Sequence, residues 1–204
     1  MNCWSCMEDA GAQPPFCTQC SKIQPVLRTD DYFSIFGLPR QFPMEHAELE
    51  HRFRRLSRQL HPDRFARADA RERRISLERA TRLNDAFRYL KDWRLRAAYL
   101  LKLAGTDVFA EGRTFADPEF LEEQLEWRED LALAISDGDV ARLRGITERA
   151  RAALAALEAE VGELFEDQHW FSELTVEIAR RLSRARYYDN IVADAERAVG
   201  AALP

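Results

Sequence analysis

Apolar residues recur at helical spacing through most of this chain. Leu49, Phe53, Leu56 and Leu60 fall at i, i+4, i+7 and i+11, one face of a helix predicted over residues 44–60. The opposite face carries His51, Arg54, Arg55 and Arg58, a basic and solvated surface. Asp69, with Glu72 three residues on, reads as a capping box for a second helix over 69–91. That helix has Ile75, Leu83, Phe87 and Leu90 at helical spacing. Between the two, Pro62 cannot continue the first helix and pushes His61 out of the α region. His61-Pro62-Asp63 therefore occupies the loop of an antiparallel helical hairpin. A short helix at 30–36, capped by Asp30 or Asp31, turns Tyr32, Phe33 and Phe36 inward and stops at Gly37. Trp93, Tyr99, Leu100, Leu101 and Leu103 predict a further short helix across the hairpin's base, after which Gly105 through Gly112 break the pattern.

From residue 117 the pattern is that of three more helices. Asp117 and Pro118 open the first as N-cap and first helical residue. Asp137-Gly138-Asp139 closes it and caps the second, roughly 140–165, which is rich in Ala, Arg and Glu. After a break near Asp167–His169 the third reaches about Val199. Short connections make neighbours antiparallel, so this segment is a three-helix bundle. On its first helix Phe120, Trp127, Leu131 and Ile135 form a stripe sufficient for a core seam. Leu121 and Leu125 are i, i+4 neighbours set off from that stripe and bordered by Glu122, Glu126 and Glu129. They either pack on another helix of the bundle or form an exposed apolar pair with an acidic rim, suited to a partner protein.

No strand alternation follows the first 28 residues, so the fold class is mainly α. Three segments result: residues 1–28, 29–104 and 113–204. The first holds all four cysteines, as Cys3-x-x-Cys6, ten residues, then Cys17-x-x-Cys20. Two such knuckles set four thiolates tetrahedrally, the geometry of a closed structural site for one Zn²⁺. The segment is too short to fold on its apolar content alone, and metal binding would supply the missing energy. Trp4, Phe16 and Ile23 are placed to cover the knuckles, and Pro14-Pro15 stiffens the connection between them. An iron or iron–sulfur site would use the same ligands. Two disulfides do not suit a chain without a secretion signal.

At 204 residues with a formal net charge of −5, the chain does not suit a nucleic-acid binder of uniformly basic surface. The charge is unevenly placed. From Arg52 to Arg74 nine arginines face three acids, and from Asp117 to Asp139 nine acids face Arg128 alone. Two poles of opposite sign suit two different partners. No apolar run approaches the ~20 residues that span a bilayer, and the N-terminus has no signal or transit pattern. Neither nucleic acid nor membrane is expected as a partner, and the expected location is the cytoplasm.

A basic helix, His-Pro-Asp and a second helix, with Asp31-Tyr32-Phe33 upstream, closely resemble the J-domain of DnaJ-type co-chaperones. The run Asp-Tyr-Phe-Ser-Ile-Phe-Gly-Leu-Pro at 31–39 and His-Pro-Asp-Arg-Phe at 61–65 resemble HscB, the co-chaperone of iron–sulfur cluster biogenesis. The Cys-Trp-x-Cys and Pro-Phe-Cys-x-x-Cys pieces are similar to an N-terminal extension of some HscB relatives. The resemblance implies that His61, Pro62 and Asp63 stimulate the ATPase of a DnaK/HscA-type chaperone, with Arg54, Arg55 and Arg58 docking it. ATP hydrolysis would then belong to the chaperone, and this chain would not be an enzyme. The resemblance also implies that the C-terminal domain binds the iron–sulfur cluster scaffold through Leu-x-x-x-Leu and an Arg-aromatic pair on the last helix. Those positions fall on Leu121 and Leu125, with Glu126 and Glu129 on the rim, and on Arg186 and Tyr187. Glu122 stands where some relatives have an apolar contact. The second reading of the same features is a general J-protein delivering unfolded clients to a DnaK-type chaperone.

Overall fold

The structure, a computed structural model, describes residues 2–11, 15–27, 29–108, 117–166 and 172–202. Among these residues it is helical, with no extended strand and two isolated β-bridges near the cysteines. It divides into two compact units, Met1–Asp92 and Trp93–Pro204. No helix among the described residues is long and apolar enough to cross a membrane.

In the first unit, α1 (Tyr32–Phe36) starts at Asp31, whose carboxylate accepts from the Ser34 N–H at 2.8 Å. It ends at Gly37, whose φ of +63° is the left-handed conformation a side chain disfavours. Arg52 then satisfies the freed carbonyls of Phe36 and Gly37 at 2.7 and 2.9 Å. The two long helices are α2 (His46–Leu60) and α3 (Ala70–Lys91). Leu49, Leu56 and Leu60 of α2 are buried, as are Ile75, Leu83, Ala86 and Leu90 of α3. Phe53 and Phe87, half-buried, stack across the hairpin with ring centroids 4.1 Å apart. Asp69 caps α3 by accepting from the Glu72 N–H at 2.8 Å. The Glu72 carboxylate receives Lys22 at 2.6 Å.

The second unit begins with α4 (Trp93–Leu103), which packs on α6 and α7. The sequence reading carried this helix across the base of the hairpin. At Asp92 the backbone turns extended, and Trp93 beyond it lies against the core of the bundle. The bundle proper is α5 (Glu119–Ser136), α6 (Val140–Glu166) and α7 (Ser172–Ala202). The break expected near Asp167–His169 lies outside the described residues. Ion pairs Arg151–Glu196 and Arg181–Glu160 run in opposite order along α6 and α7, which are antiparallel. Ala134, Ala150, Ala185 and Ala195 are fully buried and let the three helices approach closely around Phe120, Leu143, Ile146 and Tyr188.

Two details of α5 correct the sequence reading. The helix begins at Glu119, one residue later than expected, because the first turn closes through i→i+3 bonds from Phe120 and Leu121 to Asp117 and Pro118. Ile135 leaves the core seam and is 48% exposed, while Ala134 is fully buried. At 3.6 residues per turn, fifteen residues from Phe120 carry Ile135 about 60° around the axis.

Asp117 accepts two hydrogen bonds from Arg184 of α7, at 2.5 and 2.9 Å. These bonds hold its carboxyl below the ordinary value of 3.8, against the opposing effect of burial. A pKa lower when folded than when unfolded contributes stability above about pH 4 that is lost as pH falls through the folded value. Asp117→Asn is expected to cost about 1.5–3 kcal/mol at neutral pH, the worth of hydrogen bonds to a charged group. Urea unfolding at pH 7 and at successively lower pH checks this, the difference between the two proteins narrowing as the pH falls below about 4.

Candidate metal centre and interaction surfaces

The two cysteine knuckles are built alike. In each, the first cysteine N–H bonds a carbonyl five residues on (Cys3 to Glu8 at 2.8 Å, Cys17 to Lys22 at 2.9 Å). In each, an amide two residues on donates to the first sulfur: Ser5 to Cys3 at 3.3 Å, Gln19 to Cys17 at 3.4 Å. Met7 and Ser21 take left-handed φ of 63° and 59° at matching positions. The four Sγ atoms lie within 4.8 Å of one another. Cys3–Cys20 and Cys6–Cys17 are separated by 3.6 and 3.8 Å. All four cysteines are free, and these separations are far beyond the ~2.05 Å of a disulfide. A tetrahedron with metal–sulfur bonds of ~2.3 Å has edges of ~3.8 Å. The residues fit a four-thiolate metal ion.

The cluster's electrostatics favour a cation. Burial opposes ionisation of Cys3, but the amides of Cys6 and Ser5 and the thiols of Cys20 and Cys6 outweigh it, bringing its pKa down to about 6. At Cys6 the Glu8 amide favours the thiolate, yet burial and the neighbouring Cys20, Cys3 and Cys17 push the thiol up to about 12. The Cys3 thiolate forms easily, and ionising Cys6 beside it needs positive charge among the sulfurs. Ile23 is fully buried; Trp4 and Phe16 are half-buried. The Trp4 indole donates to the Ile23 carbonyl at 2.6 Å. Pro14 lies outside the described residues.

The His-Pro-Asp loop follows directly from the end of α2. His61 has φ −57° and ψ 129°, the extended backbone that a following proline demands. Pro62–Phe65 make one 3₁₀ turn, in which the Asp63 N–H donates to His61 Nδ1 at 3.3 Å. The Asp63 carboxylate stands 3.5 Å from the same nitrogen and its side chain is 90% exposed. Arg54, Arg55 and Arg58 are exposed on α2; Arg54 reaches Glu50 at 3.4 Å.

On α5, Leu121 and Leu125 are 59% and 56% exposed, with Glu122, Glu126 and Glu129 exposed around them. Of the two readings of this pair, the structure shows the exposed one. Tyr187 of α7 closes on α5, its hydroxyl donating to the Gln124 carbonyl at 2.7 Å and its ring edge-on to Phe120 at 5.4 Å. Arg186 is exposed. The arginine of α7 that reaches α5 is Arg184, over the Phe120 ring at 5.0 Å. Behind the leucines, Glu123 accepts from the Trp127 indole at 3.1 Å and from the Tyr188 hydroxyl. Sequence reasoning missed Arg184, Glu123 and Tyr188. The i, i+3, i+4 spacing of Arg184, Tyr187 and Tyr188 was the available signal.

Comparison with known proteins agrees with this architecture. The family model for the HSCB C-terminal oligomerisation domain matches residues 116–196. The co-chaperone protein HscB homolog of Bordetella pertussis (strain Tohama I) is 44% identical over 135 residues, 66% of this chain and 72% of that protein. The homolog of Cupriavidus taiwanensis is 42% identical over 137 residues, 67% and 78% of the respective chains. The crystal structure of human co-chaperone protein HscB matches with a TM-score of 0.84 and 31% identity, covering 97% of this chain and 98% of that one. Chaperone HscB from Vibrio cholerae matches with a TM-score of 0.72 and 30% identity, over 85% of this chain and all of that one. A helical hairpin with an exposed His-Pro-Asp loop, joined to a helical bundle, is a co-chaperone architecture of the J-domain class. Within that class, the chain belongs to the HscB family.

Proposed function

We propose that this protein is a cytoplasmic co-chaperone of iron–sulfur cluster assembly that joins two partners. His61, Pro62 and Asp63 stimulate the ATPase of a DnaK/HscA-type chaperone, which Arg54, Arg55 and Arg58 attract electrostatically. Leu121, Leu125, Glu126, Glu129, Arg186 and Tyr187 bind the iron–sulfur cluster scaffold protein and bring it to the chaperone. Residues 1–28 form the metal module, 29–104 the J-domain and 113–204 the scaffold-binding domain; α4 ends the J-domain segment in sequence while packing on the bundle. The chain hydrolyses no ATP itself. The observation that carries this reading is one chain presenting both an exposed His-Pro-Asp loop and, on another unit, an exposed leucine pair ringed by acids.

Single-turnover ATPase assays of the chaperone test it. Chain and scaffold together are expected to stimulate more than the sum of either alone. Equal synergy with denatured model proteins would replace this reading by that of a general J-protein.

The tetracysteine site holds one structural Zn²⁺ through Cys3, Cys6, Cys17 and Cys20, leaving no open coordination position. Metal analysis of purified chain is expected to give about one zinc per chain. Chelation is expected to unfold the module while the far-ultraviolet helical signal persists. Metal-free protein with its thiols in disulfides would overturn the assignment.

A further inference from the structure

The metal module and the His-Pro-Asp loop hang from one buried polar stripe of α3. Glu72, Ser76 and Arg79 lie at i, i+4 and i+7, and all three are buried in a helix whose inward face is otherwise apolar. Each reaches a different part of the unit. Glu72 receives Lys22, which follows the second knuckle, at 2.6 Å. Arg79 donates Nε to the Gln24 carbonyl and Nη2 to the Pro25 carbonyl, the latter at 3.0 Å. Ser76 donates Oγ to the Leu60 carbonyl at 2.7 Å. Leu60 is the last residue of α2, immediately before His61. Nearby, the Arg71 guanidinium lies over the Trp4 ring at 4.3 Å.

Gln24 completes the line to the metal site. It is fully buried, and its amide nitrogen donates to Cys3 Sγ at 3.2 Å and to the Lys22 carbonyl at 2.8 Å. Its Oε1 meets no donor among the described residues. The nitrogen, then, is the working end of this side chain. A hydrogen bond to a ligand sulfur orients the ligand and tempers its charge, which is the usual task of a group behind a metal ligand. The same residue's backbone carbonyl is held by Arg79, so hydrogen bonds lead from Cys3 through Gln24 to Arg79, and three residues back along α3 Ser76 holds the Leu60 carbonyl.

We propose that Gln24 and Arg79 are positioning residues that couple metal occupancy of the tetracysteine site to the stability of the His-Pro-Asp loop. The inference rests on metal binding by the four cysteines and is independent of which chaperone or scaffold binds the chain. The two-state element is the module itself, because a segment with so little apolar content folds only around its ion. With the ion bound, Gln24 and Pro25 present their carbonyls to Arg79, and Lys22 and Trp4 brace the first turns of α3. Without it, Arg79 and Glu72 lose those partners. The stretch of α3 that holds Leu60 then opens more often, and the loop with it.

Hydrogen exchange of the full-length chain, loaded with Zn²⁺ or stripped by chelator, tests the coupling. Stripping is expected to speed exchange of residues 60–66 and 72–80 by about tenfold, with α6 and α7 unchanged. Arg79→Met and Gln24→Met are expected to bind Zn²⁺ and yet lose this metal dependence at 60–66. Ser76→Ala is expected to keep it at 72–80 and lose it at 60–66. Gln24→Met is also expected to shift the sulfur-to-metal charge-transfer band of the Co²⁺-loaded chain to lower energy, since the thiolate loses a donor. Wild-type exchange that changes only within residues 2–24 overturns the proposal, and that comparison stands even if a variant fails to fold. Metal dependence retained by Arg79→Met, or an unshifted cobalt band in Gln24→Met, overturns the role of that residue. Failure to bind Zn²⁺ at all would appear first in metal content and would reject the metal assignment instead.

Discussion

Asp63→Asn is expected to abolish stimulation of the chaperone's ATPase while leaving the stability of the chain unchanged. The two halves of that expectation come from the same geometry. The Asp63 side chain is 90% exposed, and its carboxylate stands 3.5 Å from His61 Nδ1. Removing its charge therefore costs the fold almost nothing, within the ~0.5 kcal/mol typical of surface substitutions. What it removes is a free carboxylate held out on a basic surface, suited to a directional, charge-assisted contact with a guanidinium of the partner. His61→Gln should act similarly, because the imidazole nitrogen that receives the Asp63 N–H is lost and the turn loosens. Charge reversal at Arg54, Arg55 and Arg58 has a different signature. It should chiefly slow association, and added salt should mimic it. Steady-state ATPase at low and high salt, beside thermal melts of each variant, separates the cases. Normal stimulation by Asp63→Asn would sink the assignment of this loop.

Local rules made much of this fold readable. The caps at Asp69 and Asp139, the stop at Gly37 and the proline after His61 each depend on a few neighbouring residues and stand where the pattern placed them, and of the two candidates for the cap of α1 it is Asp31 that serves. What escaped was non-local. Gln24 and Arg79 are 55 residues apart, and no periodicity announces that a helical arginine will cap carbonyls of a metal module. The partners of α4 were equally hidden, since an apolar face does not say which neighbour it meets. Ile135 failed for a smaller reason: a stripe drawn over fifteen residues accumulates angular error, and Ala134 sits nearer the seam. Leu121 and Leu125 were ambiguous in sequence because burial of a flank depends on where α6 and α7 lie. Once those helices pack, their contacts with α5 are taken by Phe120, Leu131 and Ala134, and the pair is left outside.

The second large effect concerns that pair. Leu121→Ala with Leu125→Ala is expected to weaken binding of the iron–sulfur scaffold by more than ~10-fold, a loss of ~1.4 kcal/mol or more. Burying two leucines at an interface is worth more than that, at roughly 1.5–3 kcal/mol for each side chain fully covered. The acidic rim of Glu126 and Glu129 adds orientation more than affinity, because exposed charges act mainly on encounter and register. The control lies in what stands behind the leucines. Phe120, Tyr187 and Tyr188 pack edge-on at 5.4 and 5.5 Å, and Glu123 ties Trp127 and Tyr188 together beneath the exposed face. None of these contacts passes through Leu121 or Leu125, so the bundle should melt as the wild type does. Stimulation of the chaperone's ATPase without scaffold should also be unchanged, since the His-Pro-Asp loop is untouched. Calorimetric binding beside a thermal melt decides the matter. A double variant that binds normally, or one that loses binding only because the bundle has unfolded, would mean the scaffold docks elsewhere on this chain.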